Sequence, residues 1–187
     1  MRILTEAPYV LVHYKNFFVC FFIKISMNDY PNFDIFKNLR PQARAEINGS
    51  VIYSEIKGKV WFYQTNLGVI VMANIEGLPK QTTECTSPVF AFHIHEGENC
   101  KGDNNDPFAD VGMHYNPKNC PHPYHAGDLP PLFSANGNAF LVVLTDRFKV
   151  EETIGRTIII HSKVDDFSTQ PYGNSGLKIA CGEIKRF

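Results

Sequence analysis

Six of the seven histidines of this chain fall between His93 and His161, with Asp128 among them and Asp165 just beyond. Imidazole is the commonest protein ligand of borderline transition metals, and chance rarely packs so many rings into one stretch, so the first expectation is a metal site. His93-Ile94-His95 reads as the end of a strand. Alternate side chains of a strand share a face, so both imidazoles would reach one site while Ile94 turns into the opposite layer. Taken alone His-x-His is a weak motif, and one core histidine beside one exposed histidine is the bland alternative.

His114 follows in Gly112-Met113-His114-Tyr115-Asn116-Pro117, and His122, His125 and Asp128 in Cys120-Pro121-His122-Pro123-Tyr124-His125-Ala126-Gly127-Asp128. Three imidazoles and one carboxylate complete a tetrahedral zinc set with no vacancy, which is the structural kind of site. His161 ends another strand-like run, Thr157-Ile158-Ile159-Ile160-His161. His93, His95 and His161 could then form a second site, with His114 bridging if its two ring nitrogens face different metals. A nitrogen-rich, near-square set suits Cu(II).

The elements that must position these side chains read as short strands separated by turns from about Gln42 onward. Runs at Lys59–Gln64 and Val69–Ile75 are joined by a tight glycine-containing hairpin, and β-branched or aromatic runs recur at Ala91–His95, Ala139–Thr145, Thr157–His161 and Ile179–Ile184. Sustained helical periodicity is absent, so the expectation is an antiparallel sandwich or barrel. Two stretches do not read as strands, Glu96–Phe133 and Ser162–Gly176. Loops of that length are usually functional, and metal coordination would tie the first one down.

Bulk properties narrow the function classes. A chain of 187 residues supports one domain with a sizeable core. The formal net charge of -1 carries no electrostatic footprint for nucleic acid or an anionic membrane. Five cysteines are too few for a small disulfide scaffold, and the odd count leaves at least one thiol without a partner inside a monomer. Near the N-terminus, Asn16-Phe17-Phe18-Val19-Cys20-Phe21-Phe22-Ile23 is bracketed by Lys15 and Lys24. It is about half of what a membrane span needs, so no membrane anchor is expected. Ile25-Ser26-Met27 offers no Ala-x-Ala-like cleavage site. Residues 1–41 are therefore expected to be an N-terminal extension, either a disordered or spurious one with translation starting at Met27, a degenerate leader, or an ordered addition. Residues 42–187 form the expected domain.

At this point the residues resemble the copper/zinc superoxide dismutases. The resemblance runs from about Gln42 to Phe187 and is carried by Phe92-His93-Ile94-His95-Glu96, Gly112–Pro117, His125-Ala126-Gly127-Asp128-Leu129, Gly155-Arg156-Thr157 through His161, and Gly173-Asn174-Ser175-Gly176 through Ala180-Cys181-Gly182. Gly127-Asp128-Leu129-Pro130 is more similar to the bacterial branch than to the animal one. The resemblance implies an all-β fold, a Greek-key β-sandwich or flattened eight-stranded barrel of immunoglobulin-like kind with two long functional loops. It implies an oxidoreductase that disproportionates superoxide to dioxygen and hydrogen peroxide, with copper cycling between Cu(II) and Cu(I) and a proton held on His114 when its bond to copper opens. Copper would be held by His93, His95, His114 and His161, and zinc by His114, His122, His125 and Asp128. Asp165 would link outer nitrogens of ligands on both metals, as ligating histidines generally require.

The same resemblance pairs Cys100 with Cys181 in a disulfide. Cys20, Cys85 and Cys120 have no implied role, although a Cys85 to Cys120 bridge, or a Cys120 thiol competing for zinc, stands beside the plainer reading of free or buried thiols. The family places an arginine just before the C-terminal cysteine to orient the anion, and Leu177-Lys178-Ile179-Ala180-Cys181 carries lysine there. Lysine keeps the charge but loses the planar two-pronged geometry, so Lys178 is expected to support catalysis at a reduced rate, with Lys163 as a helper. A dismutase-like zinc-binding module or a copper carrier uses the same residues and is the alternative. Homodimerisation, the compartment (cytoplasmic, or secreted or periplasmic) and any glycan on Asn48-Gly49-Ser50 stay open at the level of sequence.

Overall fold

Alternating inward and outward residues build most of the sheet. The computed structural model describes residues 39–80, 83 and 88–187. Arg40–Phe187 pack as one compact unit, in which eight antiparallel strands form a nearly closed Greek-key barrel. These are β1 (Ala43–Gly49), β2 (Lys57–Thr65), β3 (Gly68–Glu76), β4 (Val89–His95), β5 (Asp128–Phe133), β6 (Ala139–Thr145), β7 (Thr157–His161) and β8 (Lys178–Arg186). Their order is β5-β4-β7-β8-β1-β2-β3-β6, so β4 lies beside β7 and β3 beside β6 although neither pair is consecutive in the chain.

The inward residues of β1, β2 and β3, among them Ala45, Ile47, Val60, Phe62, Val71 and Ile75, meet Phe92, Ile94, Ile158 and Ile160 in one core. The expected hairpin is present: Thr65 pairs with Gly68, leaving Asn66 and Leu67 as a two-residue loop. Asn136-Gly137 makes another tight turn, with both residues at positive φ (53° and 85°), the conformation that suits the twist of an antiparallel pair. A single turn of helix, α1 (Val150–Thr153), is the only α-helix among the described residues, and it buries Val150 and Thr153.

Two strands escaped the sequence reading. β5 lies inside the stretch expected to be loop, because Asp128-Leu129-Pro130-Pro131-Leu132-Phe133 carries two prolines. β5 is an end strand of the sheet, paired through β4 on one side, and there a missing N–H breaks no central ladder. β1 was not singled out because Ala43, Ala45, Glu46 and Asn48 have poor strand propensity. Its conformation is imposed by β2 and β8 on either side.

β4 and β7 differ from the other strands in being almost wholly buried on both faces. On β4, Phe90, Phe92 and Ile94 enter the core, so His93 and His95 stand on the outer face. On β7, Ile158 and Ile160 enter the core and Ile159 and His161 face outward. The outer face stays dry because the 96–127 segment, which precedes β5, and the 162–177 segment fold over it. Phe108 and Val111 pack there on Ile159 and Cys181. The expected N-terminal extension, with Cys20, lies outside the described residues except for its last three, and Cys85 lies outside them too.

Candidate metal centre

The strands bring together the residues that the chain keeps far apart. His93 pairs in register with Ile159 on one side and Asp128 on the other, and His95 bridges to His114. Ring centroids of His93 and His114 are 4.1 Å apart, those of His93 and His161 5.0 Å, and those of His95 and His161 5.4 Å. One ligand atom from each of His93, His95, His114 and His161 lies within 4.8 Å of the others, and the same holds for His114, His122, His125 and Asp128. All seven residues are buried. His114 alone belongs to both groups.

Hydrogen bonds fix which ring nitrogen each histidine turns to its group. His95 Nδ1 donates to the Gly112 carbonyl at 3.0 Å, which leaves Nε2 facing His161 Nε2 at 3.3 Å. Asp165 accepts from His93 Nε2 and from His122 Nε2, each at 2.8 Å, one ring from each group. It therefore joins the two groups from behind. On the inner side His93 Nδ1, His114 Nε2, His122 Nδ1 and His125 Nδ1 are buried with no hydrogen-bond partner. A buried unpaired polar atom costs about 1–3 kcal/mol, so these lone pairs require something to bind. His122 Nδ1 and His125 Nδ1 sit 3.0 and 3.3 Å from Asp128 Oδ2, but without hydrogen-bond alignment, the arrangement expected of atoms converging on one ion.

Electrostatics keep the rings ready to ligate. Burial, reinforced by the neighbouring imidazoles, holds His95 and His161 well below the ordinary histidine pKa and His93 at about 4, so these rings are neutral near pH 7. Burial pushes Asp165 up, but hydrogen bonds from His93, the Phe167 N–H and His122 outweigh it and leave the carboxyl below its usual range. Asp128 shows the same balance, with His114 the main opposing partner. Neutral imidazoles and ionised carboxylates are the forms that bind metal.

The first group opens onto a cavity of about 370 Å³ lined by His95, His161, Gly112, Tyr172, Ser175 and Lys178 among others. Lys178 pairs across the sheet with His161 and is the one lysine or arginine among the lining residues. Lys163, expected as a helper, is not among them. The lining of that cavity includes none of His114, His122, His125 and Asp128.

The family model for copper/zinc superoxide dismutase (SODC) matches residues 56–184. The chain belongs to the copper/zinc superoxide dismutase family. It is 33% identical over 146 residues to superoxide dismutase [Cu-Zn] 2 of Aquifex aeolicus, covering 70% of this chain and 80% of that protein. It is 35% identical over 140 residues to superoxide dismutase [Cu-Zn] of Legionella pneumophila, covering 68% and 77%. The protein is thus an oxidoreductase, a superoxide dismutase with copper and zinc as cofactors. The donor sets fit both metals: an open all-imidazole group suits copper, and a closed His3Asp group suits structural zinc.

Other parts of this dismutase's centre bear on the sequence expectations. Cys100 and Cys181 form the disulfide, 81 residues apart in sequence. Cys120 is a free thiol and a member of neither group. Two supporting residues went unnoticed in the sequence. Arg147 Nη1 donates to the carbonyls of Pro123, His125 and Asp128 at 3.2, 3.3 and 3.0 Å. Gln170 exchanges two hydrogen bonds with the backbone of His122, accepting at 2.9 Å and donating at 2.6 Å. No local pattern marks either one, because each acts on backbone that only the fold brings near.

Proposed function

We propose that His93, His95, His114 and His161 hold copper, that His114, His122, His125 and Asp128 hold zinc, and that Lys178 receives superoxide at the open side of the copper group. The observation that carries this reading is the position of His114, with Nδ1 2.8 Å from Asp128 Oδ1 and Nε2 unpartnered toward the other group. Copper, when bound, supplies the one-electron couple, and zinc, which has no accessible redox chemistry, supplies charge and fixed geometry. The chain's own residues do the rest. Lys178 draws the anion into the cavity beside His95 and His161. His114 Nε2 takes up a proton and gives it to the reduced oxygen, so that two superoxide anions and two protons leave as dioxygen and hydrogen peroxide. Asp165 keeps His93 and His122 aimed inward while this happens.

Reconstitution with both metals, followed by metal analysis and a superoxide-removal assay, tests the reading. One copper and one zinc per chain with activity are expected. His125→Ala should lose zinc first and His161→Ala copper first. One zinc with no copper and no activity would favour a zinc-binding module, and bound copper without activity a copper carrier.

We also propose that the protein pairs as a homodimer. Phe140, Val142 and Leu144 of β6 are 69%, 40% and 50% exposed, and because alternate positions of a strand share a face they form an apolar row on the outer side of β6. Sedimentation equilibrium should give a dimer for the native chain and a monomer for Phe140→Glu. Residues 42–187 are proposed to be the dismutase domain, supported by the Gln42 N–H donating to Phe62 and the Phe187 N–H donating to Gln42. A chain beginning at Arg40 should fold and bind both metals.

A further inference from the structure

Lys178 is not a free cation. Its Nζ donates to Asp106 Oδ2 at 2.5 Å and to the Phe108 carbonyl at 2.9 Å. An ammonium has three donors, so one is left for the cavity. An arginine, with five donors spread over a plane, could serve this loop and the cavity together. The replacement of arginine by lysine therefore makes the partner of the cation matter more here.

That partner is held in place by its own loop. Asp106 Oδ1 accepts the Phe108 N–H at 3.1 Å, and the Asp106 N–H donates to Asp103 Oδ1 at 2.9 Å. The loop is stapled by Cys100 to Cys181 on β8, the strand that begins at Lys178. Phe108 also packs beside Cys181 in the small outer core. Loop and strand are thus fixed against each other, and the carboxylate stands beside Nζ before any anion arrives. The pair is only partly shielded, with side-chain exposures of 19% for Lys178 and 40% for Asp106, so an incoming anion can compete for the same donors.

We propose that Asp106 is a positioning residue that sets how much of the Lys178 charge superoxide meets, so that anion capture is an exchange in which the anion displaces the Asp106 carboxylate from Nζ. This rests on the reading of Lys178 as the receiving cation. The probe is azide, a small anion whose binding to the copper- and zinc-loaded full chain is followed by visible absorption. The second readout is the salt dependence of kcat/KM for superoxide. Asp106→Asn removes the charge and keeps an oxygen for the Phe108 N–H.

Azide should bind roughly two- to fivefold tighter to Asp106→Asn, the range of a partly exposed ion pair, and the salt dependence should steepen. Lys178→Met should weaken azide binding and flatten the salt dependence. The double variant should match Lys178→Met, because the Asp106 effect has nothing left to act on. Unchanged or weaker azide binding in Asp106→Asn, with Lys178→Met still weakened, would overturn the role of Asp106 and leave that of Lys178 standing. An Asp106→Asn effect that persists in the Lys178→Met background would overturn it also, by locating the cause in the loop. If Lys178→Met changes neither readout, the receiving role of Lys178 fails and the exchange fails with it.

Discussion

Asp165 shows how much of this centre depends on single atoms. Its two oxygens accept from one histidine of each candidate group, so one carboxylate sets the tautomer of rings that belong to different groups. Such outer partners typically contribute 10- to 100-fold in metal affinity. Asp165→Asn should therefore weaken zinc binding by about that factor in a chelator competition, while a mutation of a solvated acid such as Asp146 should not. Gly173 is bound to the same atom. A Cβ there would overlap Asp165 Oδ1 and crowd His122 Nε2, and its φ of 63° already favours glycine. Gly173→Ala should reproduce the Asp165→Asn loss of zinc affinity, and retention of native affinity would show that Asp165 is free to shift. At this scale the candidate metal ligands were legible because each is a reactive residue type at a telling spacing. Asp106, Gly173, Arg147 and Gln170 were not, since their partners lie 72, 8, 19–24 and 48 residues away along the chain.

Among the elements, β4 and β7 do most to create the site. Each offers one face to the barrel core and a histidine-bearing face to the loops, so the i, i+2 spacing of His93 and His95 could be read directly as a shared face. What could not be read is how that face stays dry. It depends on the covering loops, and the disulfide ties one of them to β8. In the loop-entropy account, closing 81 residues of sequence stabilises the fold by about 4 kcal/mol. Cys181→Ser should lower unfolding stability by that order in a denaturant titration. Stability equal to the native chain would mean that packing of Phe108 and Val111 on Ile159 holds the loop by itself. β5 was missed for a related reason, since its prolines argue against a strand everywhere except at the sheet end where it lies.

For the whole molecule, metal binding and folding are one balance. Without metal, His93, His95 and His161 are buried with lowered pKa values, His93 at about 4 against an ordinary 6.5. Between those values the unfolded chain binds more protons than the folded one, so stability falls as pH drops through that window. The metal-free protein should melt at progressively lower temperature from pH 6.5 toward pH 4, and the loaded protein should stay level further into acid before protons compete for the ligands. A flat metal-free profile would mean that the unpaired rings find partners when the ions leave. By itself the sequence determined the all-β class and pointed to the two candidate ligand groups and a shared His114, because residue type and strand alternation are local properties, while the pairing of Cys100 with Cys181 came from the family resemblance alone. Only the tertiary structure decided that Arg147 and Gln170 brace the backbone around His122, His125 and Asp128, and that Asp106 claims the charge of Lys178. Those contacts cross between loops and strands distant in sequence, and a carboxylate or guanidinium in a loop looks solvated until the fold supplies its partner.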